Sequence, residues 1–166
     1  EVLVAGEGAY KDAKDFMRML MPSHAKNVKP YREVQPIFAK FGVEVVHENG
    51  WSSTRPHGPL KVREPFTSHL LQKVEAAPWP YVPADLLPIF IALGVRAEGQ
   101  MMYWNKVYEG ALGWTSELAK FGGHAVLCDP HRVITFGGKP LTAAEVESLY
   151  IIRVAIAMLM LAASIP

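Results

Sequence analysis

Apolar and polar positions alternate along this chain in a way that separates short strands from two kinds of helix. Over residues 12–21 the apolar side chains Phe16, Met17, Leu20 and Met21 recur at helical spacing, and Pro22 closes the run. Residues 31–41 repeat that amphipathic pattern and end at Gly42, a residue suited to the left-handed position after a helix; Pro36 inside the run predicts a late start or a kink. Residues 1–5 and 43–47 read as strands, the second followed by a turn at Glu48-Asn49-Gly50 and a partner strand over 60–62. Strands around 71–74 and over 101–108 flank residues 85–94, a helix with almost no polar face. Residues 116–121 form a short helix stopped by Gly122, and 124–129 with 132–136 form a hairpin around Pro130-His131. A polar stretch over 141–148 leads to a last apolar helix that begins near Tyr150.

The pattern repeats. Ala39-Lys40-Phe41-Gly42 returns as Ala119-Lys120-Phe121-Gly122 with an 80-residue offset, each copy ending a helix and preceding a strand pair. The helices over 31–41 and 116–121 are amphipathic and belong at a surface. Those over 86–94 and 154–163 are apolar nearly all round and belong inside. Surface and buried helices are therefore expected to alternate, in an α/β (α+β) fold.

Composition narrows the function classes. Half of the 166 residues are hydrophobic and 20% are charged, which excludes a disordered chain, and a net charge of +1 with scattered basic residues leaves no footprint for nucleic acid. The single cysteine, Cys128, cannot form an internal disulfide and favours a reducing, cytoplasmic compartment. The opening Glu1-Val2-Leu3-Val4-Ala5 lacks the basic start of a secretory leader. Near the other end only Arg153 and Ser164 interrupt the apolar run, leaving roughly thirteen apolar positions where a bilayer needs ~20, so a core helix is expected and no membrane partner.

Two charged residues stand out against apolar surroundings. Asp85 follows the proline-framed turn PWPYVPA and heads the apolar helix, where it is either an N-cap or a working carboxylate. Arg153 heads the last helix, where a cation opposes the helix dipole and needs a partner. Glu145 or Glu147 could supply one; the alternative is an anionic ligand, which the guanidinium fork suits. Lys106 and its neighbour Val107 should face opposite ways in a strand. Met101, Met102, Tyr103 and Trp104 read as core and sheet cover. The six histidines have no metal-ligand spacing, and Gly137-Gly138-Lys139 lacks the order of a phosphate cradle.

The sequence Ala76-Ala77-Pro78-x-Pro80-x-x-Pro83-x-Asp85-Leu86, followed by Ala97-Glu98-Gly99, Val107-Tyr108-Glu109 and Glu117-Leu118-x-x-Phe121-Gly122, resembles the enolpyruvyl transferases. Order and spacing hold from about Ile37 to Pro166. Within that family the resemblance is to the branch whose acceptor is UDP-N-acetylglucosamine, in peptidoglycan precursor synthesis; the shikimate-pathway branch is more distant. It implies an inside-out α/β barrel domain built from repeated βαβαββ-type units, with residues 1–166 forming one domain of a two-domain protein whose second domain closes the cleft. It implies transfer of the enolpyruvyl group of phosphoenolpyruvate to a sugar-nucleotide hydroxyl, with no metal or organic cofactor. By the same resemblance Asp85 accepts or orients the proton of the attacking hydroxyl, Val107 touches the sugar nucleotide, and Arg153 meets the phosphoenolpyruvate anion. The chain departs from the family twice: Ala111 stands where the family has an arginine, and Ile151 where it has an aspartate. These departures support two alternatives, a diverged binding or scaffold module of the same fold and a transferase of specialised metabolism with another acceptor.

Overall fold

The computed structural model describes residues 28–48, 51–54, 58–67, 69–78 and 81–165; the expected strand over 1–5 and helix over 12–21 lie outside the described residues. Helix α1 (Val28–Lys40) starts earlier than the sequence pattern predicts and runs through Pro36. Pro36 is exposed, so the carbonyl that loses its N–H partner there is on the side water can reach. The opposite face, with Val34, Ile37 and Phe38, is buried and is continued by Phe41. Phe38 and Phe41 both pack against Phe90, one edge-on and one stacked.

Strands β1 (Val45–Glu48) and β2 (Trp51–Thr54) form a two-stranded antiparallel hairpin. The expected partner for β1, residues 60–62, lies elsewhere. Lys61 bridges Glu98 in parallel, and backbone bonds run from Val62 N–H to the Glu98 carbonyl and from Glu98 N–H to the Leu60 carbonyl, both 2.8 Å. The near segment wins the hairpin because closing a short loop costs less chain entropy than closing a long one.

The main sheet contains β3 (Gln72–Ala76), β4 (Gly99–Asn105), β5 (Ala125–Asp129) and β6 (Arg132–Gly137) in the order β3-β4-β6-β5. β3 and β4 are parallel, with Val74 opposite Tyr103, and the other two pairings are antiparallel. A parallel pair cannot be joined by a tight turn. Helix α2 (Leu87–Arg96) makes that crossover, entered through a one-turn 3₁₀ helix, Ala84–Leu86. The expected short helix over 116–121 is a longer 3₁₀ helix, Gly113–Phe121. Helix α3 (Ile152–Ala163) packs on α2. The fold is thus mixed α/β, and no helix among the described residues is long and apolar enough to cross a membrane.

Every residue of α2 from Leu87 to Val95 is buried, as its continuous apolar sequence predicts. The helix sits so close to the sheet that a Cβ at Gly94 would fall 1.8 Å from Tyr103 Oη and 2.8 Å from Thr135 Oγ1. The Tyr103 hydroxyl uses that space to donate a 2.8 Å hydrogen bond to the Phe90 carbonyl. Burial pushes the Tyr103 phenol far above its usual pKa, so it remains a neutral donor. At the other end of the contact a Cβ on Gly137 would lie 2.2 Å from the Gly94 and Ala97 carbonyl oxygens.

α3 differs from the all-round burial expected of it. Val154, Ala157, Met158 and Leu161 are buried against the core, whereas Ile152 and Leu159 are 80% and 70% exposed. Among the described residues only one side of α3 has a partner. The two Phe-Gly helix exits, by contrast, match closely. Gly42 and Gly122 have φ of 78° and 79°, and their N–H groups bond the Ala39 and Ala119 carbonyls. The following amides, Val43 and Gly123, reach back to Phe38 and Leu118, and a later segment of chain caps each exit through Lys61 N–H to Phe41 O and Thr142 N–H to Phe121 O.

The Gly94 contact yields the first test. Gly94→Ala is expected to destabilise the fold by ~1–3 kcal/mol through overpacking. Combining it with Tyr103→Phe should cost less than the two separate effects together, because the phenyl ring vacates the position the new methyl needs. Denaturant unfolding of the four proteins measures both, and strict additivity would show that the two residues do not compete for that space.

Candidate functional site

The turn between β3 and α2 commits the chain to one exit from the sheet. Proline removes backbone donors and restricts φ, so the remaining polar groups close short loops. Ala77 N–H bonds the Val82 carbonyl at 3.1 Å, Tyr81 N–H the Pro78 carbonyl at 3.3 Å, and Leu86 N–H the Pro83 carbonyl at 3.0 Å. Asp85 lies in the middle of the resulting 3₁₀ turn, between buried Ala84 and Leu86, so the apolar flanks turn inward and the carboxylate outward. The N-cap alternative raised by the sequence does not hold. Pro83 and Leu86 occupy the cap positions of the 3₁₀ turn and of α2, and neither has a side-chain cap bond. The Asp85 carboxylate is therefore not consumed by backbone donors, and its side chain is 66% exposed.

That carboxylate borders an open cleft of about 260 Å³, whose walls include Ala77, Pro78, Tyr81, Val107 and Tyr108. Val107 and Tyr108 arrive by way of Asn105. The sequence predicts a strand reaching 108, but β4 ends at Asn105, which is 3% exposed. Its Oδ1 accepts the N–H groups of both Val107 and Tyr108 at 3.0 Å, bending the backbone out of the sheet. Its own N–H donates to the His131 carbonyl at 2.8 Å, and its carbonyl lies 2.9 Å from His131 Nδ1. Lys106 N–H adds a 2.8 Å bond to the Ala76 carbonyl.

Arg153 closes the group. Its Nη1 is 3.2 Å from Asp85 Oδ1, and its Cζ stands 5.4 Å from the centre of the Tyr108 ring. The structure thus brings Asp85, Val107 and Arg153 to one place from α2's entry, the turn after β4 and the start of α3. Of the two partners considered for Arg153, Glu145 and Glu147, neither takes the role; Asp85 does. The polar stretch over 141–148 is instead tied to the 3₁₀ helix, where the Glu147 N–H donates to Glu117 Oε2 at 3.0 Å. Lys120 and that N–H hold the Glu117 carboxyl below its usual pKa. The Asp85–Arg153 pair is too solvated to anchor the fold, since exposed pairs contribute ~0–1 kcal/mol.

Lys106 turns away from the cleft. Its Nζ is 2.7 Å from Glu75 Oε2 and 4.2 Å from the centre of the Trp104 ring, and with Lys73 it holds the Glu75 carboxyl below its usual pKa. Met101 and Tyr103 are core, and Trp104 covers the sheet beneath Lys106 and Arg132. Ala111 and Ile151, the latter at the N-cap of α3, add no charge near Arg153. Among the described residues no three His, Cys, Asp or Glu side chains are grouped so as to hold a metal ion. Sequence reasoning missed Asn105, Tyr81 and Tyr108. Parity along β4 offered one signal: with Met101 and Tyr103 inward, Asn105 also falls on the buried face, where an amide needs partners.

No family model matches the chain. It is 31% identical over 118 residues to the UDP-N-acetylglucosamine 1-carboxyvinyltransferase of Borrelia garinii subsp. bavariensis, an alignment that covers 71% of this chain and 27% of that protein. Its likeness to the Bradyrhizobium diazoefficiens protein of the same name is 33% over 126 residues, or 73% of this chain and 29% of the relative. The chain therefore spans between a quarter and a third of the length of these curated relatives. Among solved structures, the enolpyruvyl transferase NikO from Streptomyces tendae superposes with a TM-score of 0.65 and 22% identity, covering 87% of this chain and 31% of NikO.

Two substitutions separate anchor from working group. Asn105→Ala is expected to cost ~1–3 kcal/mol, the range for stranding polar groups inside a protein. It should also speed hydrogen exchange at the Val107 and Tyr108 amides ahead of those in the middle of β4. Asp85→Asn should change stability by no more than ~1 kcal/mol. A larger loss for Asp85→Asn than for Asn105→Ala in denaturant unfolding would reverse these assignments.

Proposed function

The chain belongs to the enolpyruvyl transferase family, and from that premise we propose that it forms one wall of a cleft in which a longer protein transfers the enolpyruvyl group of phosphoenolpyruvate to a hydroxyl of UDP-N-acetylglucosamine. The single observation that carries this reading is the Asp85–Arg153 pair, 3.2 Å apart at the edge of an open cleft. A carboxylate and a guanidinium so placed are complementary to the two reactants: one accepts a proton from a hydroxyl, the other accepts the oxygens of an anion.

The chemistry follows from what each group can still bond. In the resting pair a carboxylate oxygen of Asp85 is taken up by Arg153, 3.2 Å away. Phosphoenolpyruvate carries a carboxylate and a phosphate, and either competes with Asp85 for the guanidinium. Anion binding then releases the carboxylate toward the acceptor hydroxyl, where it orients the O–H and takes up its proton as the hydroxyl oxygen bonds C2 of phosphoenolpyruvate, the C2–O bond to the phosphate breaks and inorganic phosphate leaves. Val107, at the cleft wall, supplies apolar cover for the sugar nucleotide. The second domain of the longer protein completes the cleft and excludes water, which strengthens these charge contacts. The reading needs no metal and no organic cofactor.

The finer fold reading is an inside-out α/β barrel in a cytoplasmic, two-domain protein. It is supported by the wholly apolar α2 beneath the sheet, by α3 against it, and by the two matching Phe-Gly exits. One specific observation favours a second reading, a binding module that has lost the chemistry. Ala111 and Ile151 bring neither a second cation nor a second acid to Arg153.

Turnover in the complete protein separates the two. With both substrates present, the wild type is expected to release phosphate, and Asp85→Ala to lose activity by ~10²-fold or more, as for removal of a positioned general base. Sugar-nucleotide binding without phosphate release in the wild type supports the module, and binding of phosphoenolpyruvate alone points to a different acceptor. Full activity of Asp85→Ala would remove Asp85 from the mechanism.

A further inference from the structure

We propose that Tyr108 is a positioning residue for Arg153, holding the guanidinium at the cleft by its ring face while the pairing of Arg153 with Asp85 is exchanged for a ligand anion. The consequence for catalysis rests on the transferase reading above, whereas the contact itself does not.

Arg153 is the second residue of α3, on a helix start with no side-chain cap, and its side chain is 34% exposed. A long side chain in that setting loses appreciable rotamer entropy when held in one geometry, and the helix dipole does not favour a cation there. Among the described residues two groups restrain it: the Asp85 carboxylate at 3.2 Å and the Tyr108 ring at 5.4 Å. The two restraints differ in kind. A carboxylate occupies guanidinium N–H donors, so an incoming anion must displace it. A ring attracts the cation through the negative face of its π system and leaves the in-plane N–H donors free. Of the two, only the ring can hold Arg153 and let it bind an anion at once.

The backbone that carries the ring is itself fixed. Tyr108 N–H donates to Asn105 Oδ1 at 3.0 Å, and Asn105 is buried and tied to His131 by two further contacts. The restraint therefore runs from the buried end of β4, through the turn, to the guanidinium. Neither Tyr108 nor Asn105 needs to touch the transferred group for this to work. The arrangement also bears on Ala111 and Ile151: Arg153 has no neighbouring arginine or aspartate at those positions to steady it, which leaves the aromatic ring as the fixed support.

The test uses the complete protein and three forms of it: wild type, Tyr108→Phe, which keeps the ring, and Tyr108→Leu, which keeps apolar cover without it. Nitrogen-15 relaxation at Arg153 Nε–Hε reports the order of the guanidinium, and calorimetry reports phosphoenolpyruvate affinity. Tyr108→Leu is expected to lower that order and weaken phosphoenolpyruvate binding about three-fold, in line with a partly exposed cation–π contact. Tyr108→Phe is expected to restore both, which a loss of general packing or of the hydroxyl would not do. Unchanged Nε order in Tyr108→Leu, or failure of Tyr108→Phe to restore it, overturns the proposal. A wild type that binds no phosphoenolpyruvate sinks the transferase reading alone, because the relaxation comparison still decides the role of Tyr108.

Discussion

The placement of the whole site depends on one close approach, that of α2 to the sheet at Gly94. Without a side chain there, Tyr103 from β4 reaches across the helix and bonds the Phe90 carbonyl. That contact fixes where the helix axis lies relative to β4, and two consequences follow at the candidate site. The start of α2 determines where Asp85 emerges, and the end of β4 determines where Val107 and Tyr108 emerge. Because both are ends of elements locked to each other, the cleft between them inherits the rigidity of the core. A site carried by loops alone would not have that support.

Arg153 reaches the same place by a different route. Its helix packs on α2 through Val154, Ala157, Met158 and Leu161, so the first turn of α3 is held beside the first turn of α2. The charges that result are worth little to stability, being solvated. Under the proposed function, a carboxylate and a guanidinium that pair with each other would present complementary groups to an anionic donor and a hydroxylated acceptor.

Much of this was legible in the sequence because it rests on patterns. The unbroken apolar run of α2, the glycine stops after Phe41 and Phe121, and the hairpin over 124–136 all follow from periodicity and turn chemistry. Asp85 and Arg153 were conspicuous as charges beside apolar helices. What the pattern could not supply was partnership across distance. Residues 60–62 have strand composition, but nothing local says that they join Glu98 instead of β1. Arg153 has two nearby acids in sequence, yet its partner is 68 positions away. Asn105 looked like the middle of a strand because its backbone partner, His131, lies on another segment, while its side chain turns to the nearby Val107 and Tyr108 amides. The exposed face of α3 was hidden for the opposite reason: an apolar sequence states that a helix wants cover, not which sides receive it from the described residues.

A crystal structure of the complete protein with phosphoenolpyruvate and UDP-N-acetylglucosamine bound tests the central claim most directly. The account expects a guanidinium nitrogen of Arg153 within hydrogen-bond distance of a phosphoenolpyruvate oxygen, and the Asp85 carboxylate turned to the acceptor hydroxyl. Substrates bound elsewhere, with the Asp85–Arg153 pair intact, would contradict it.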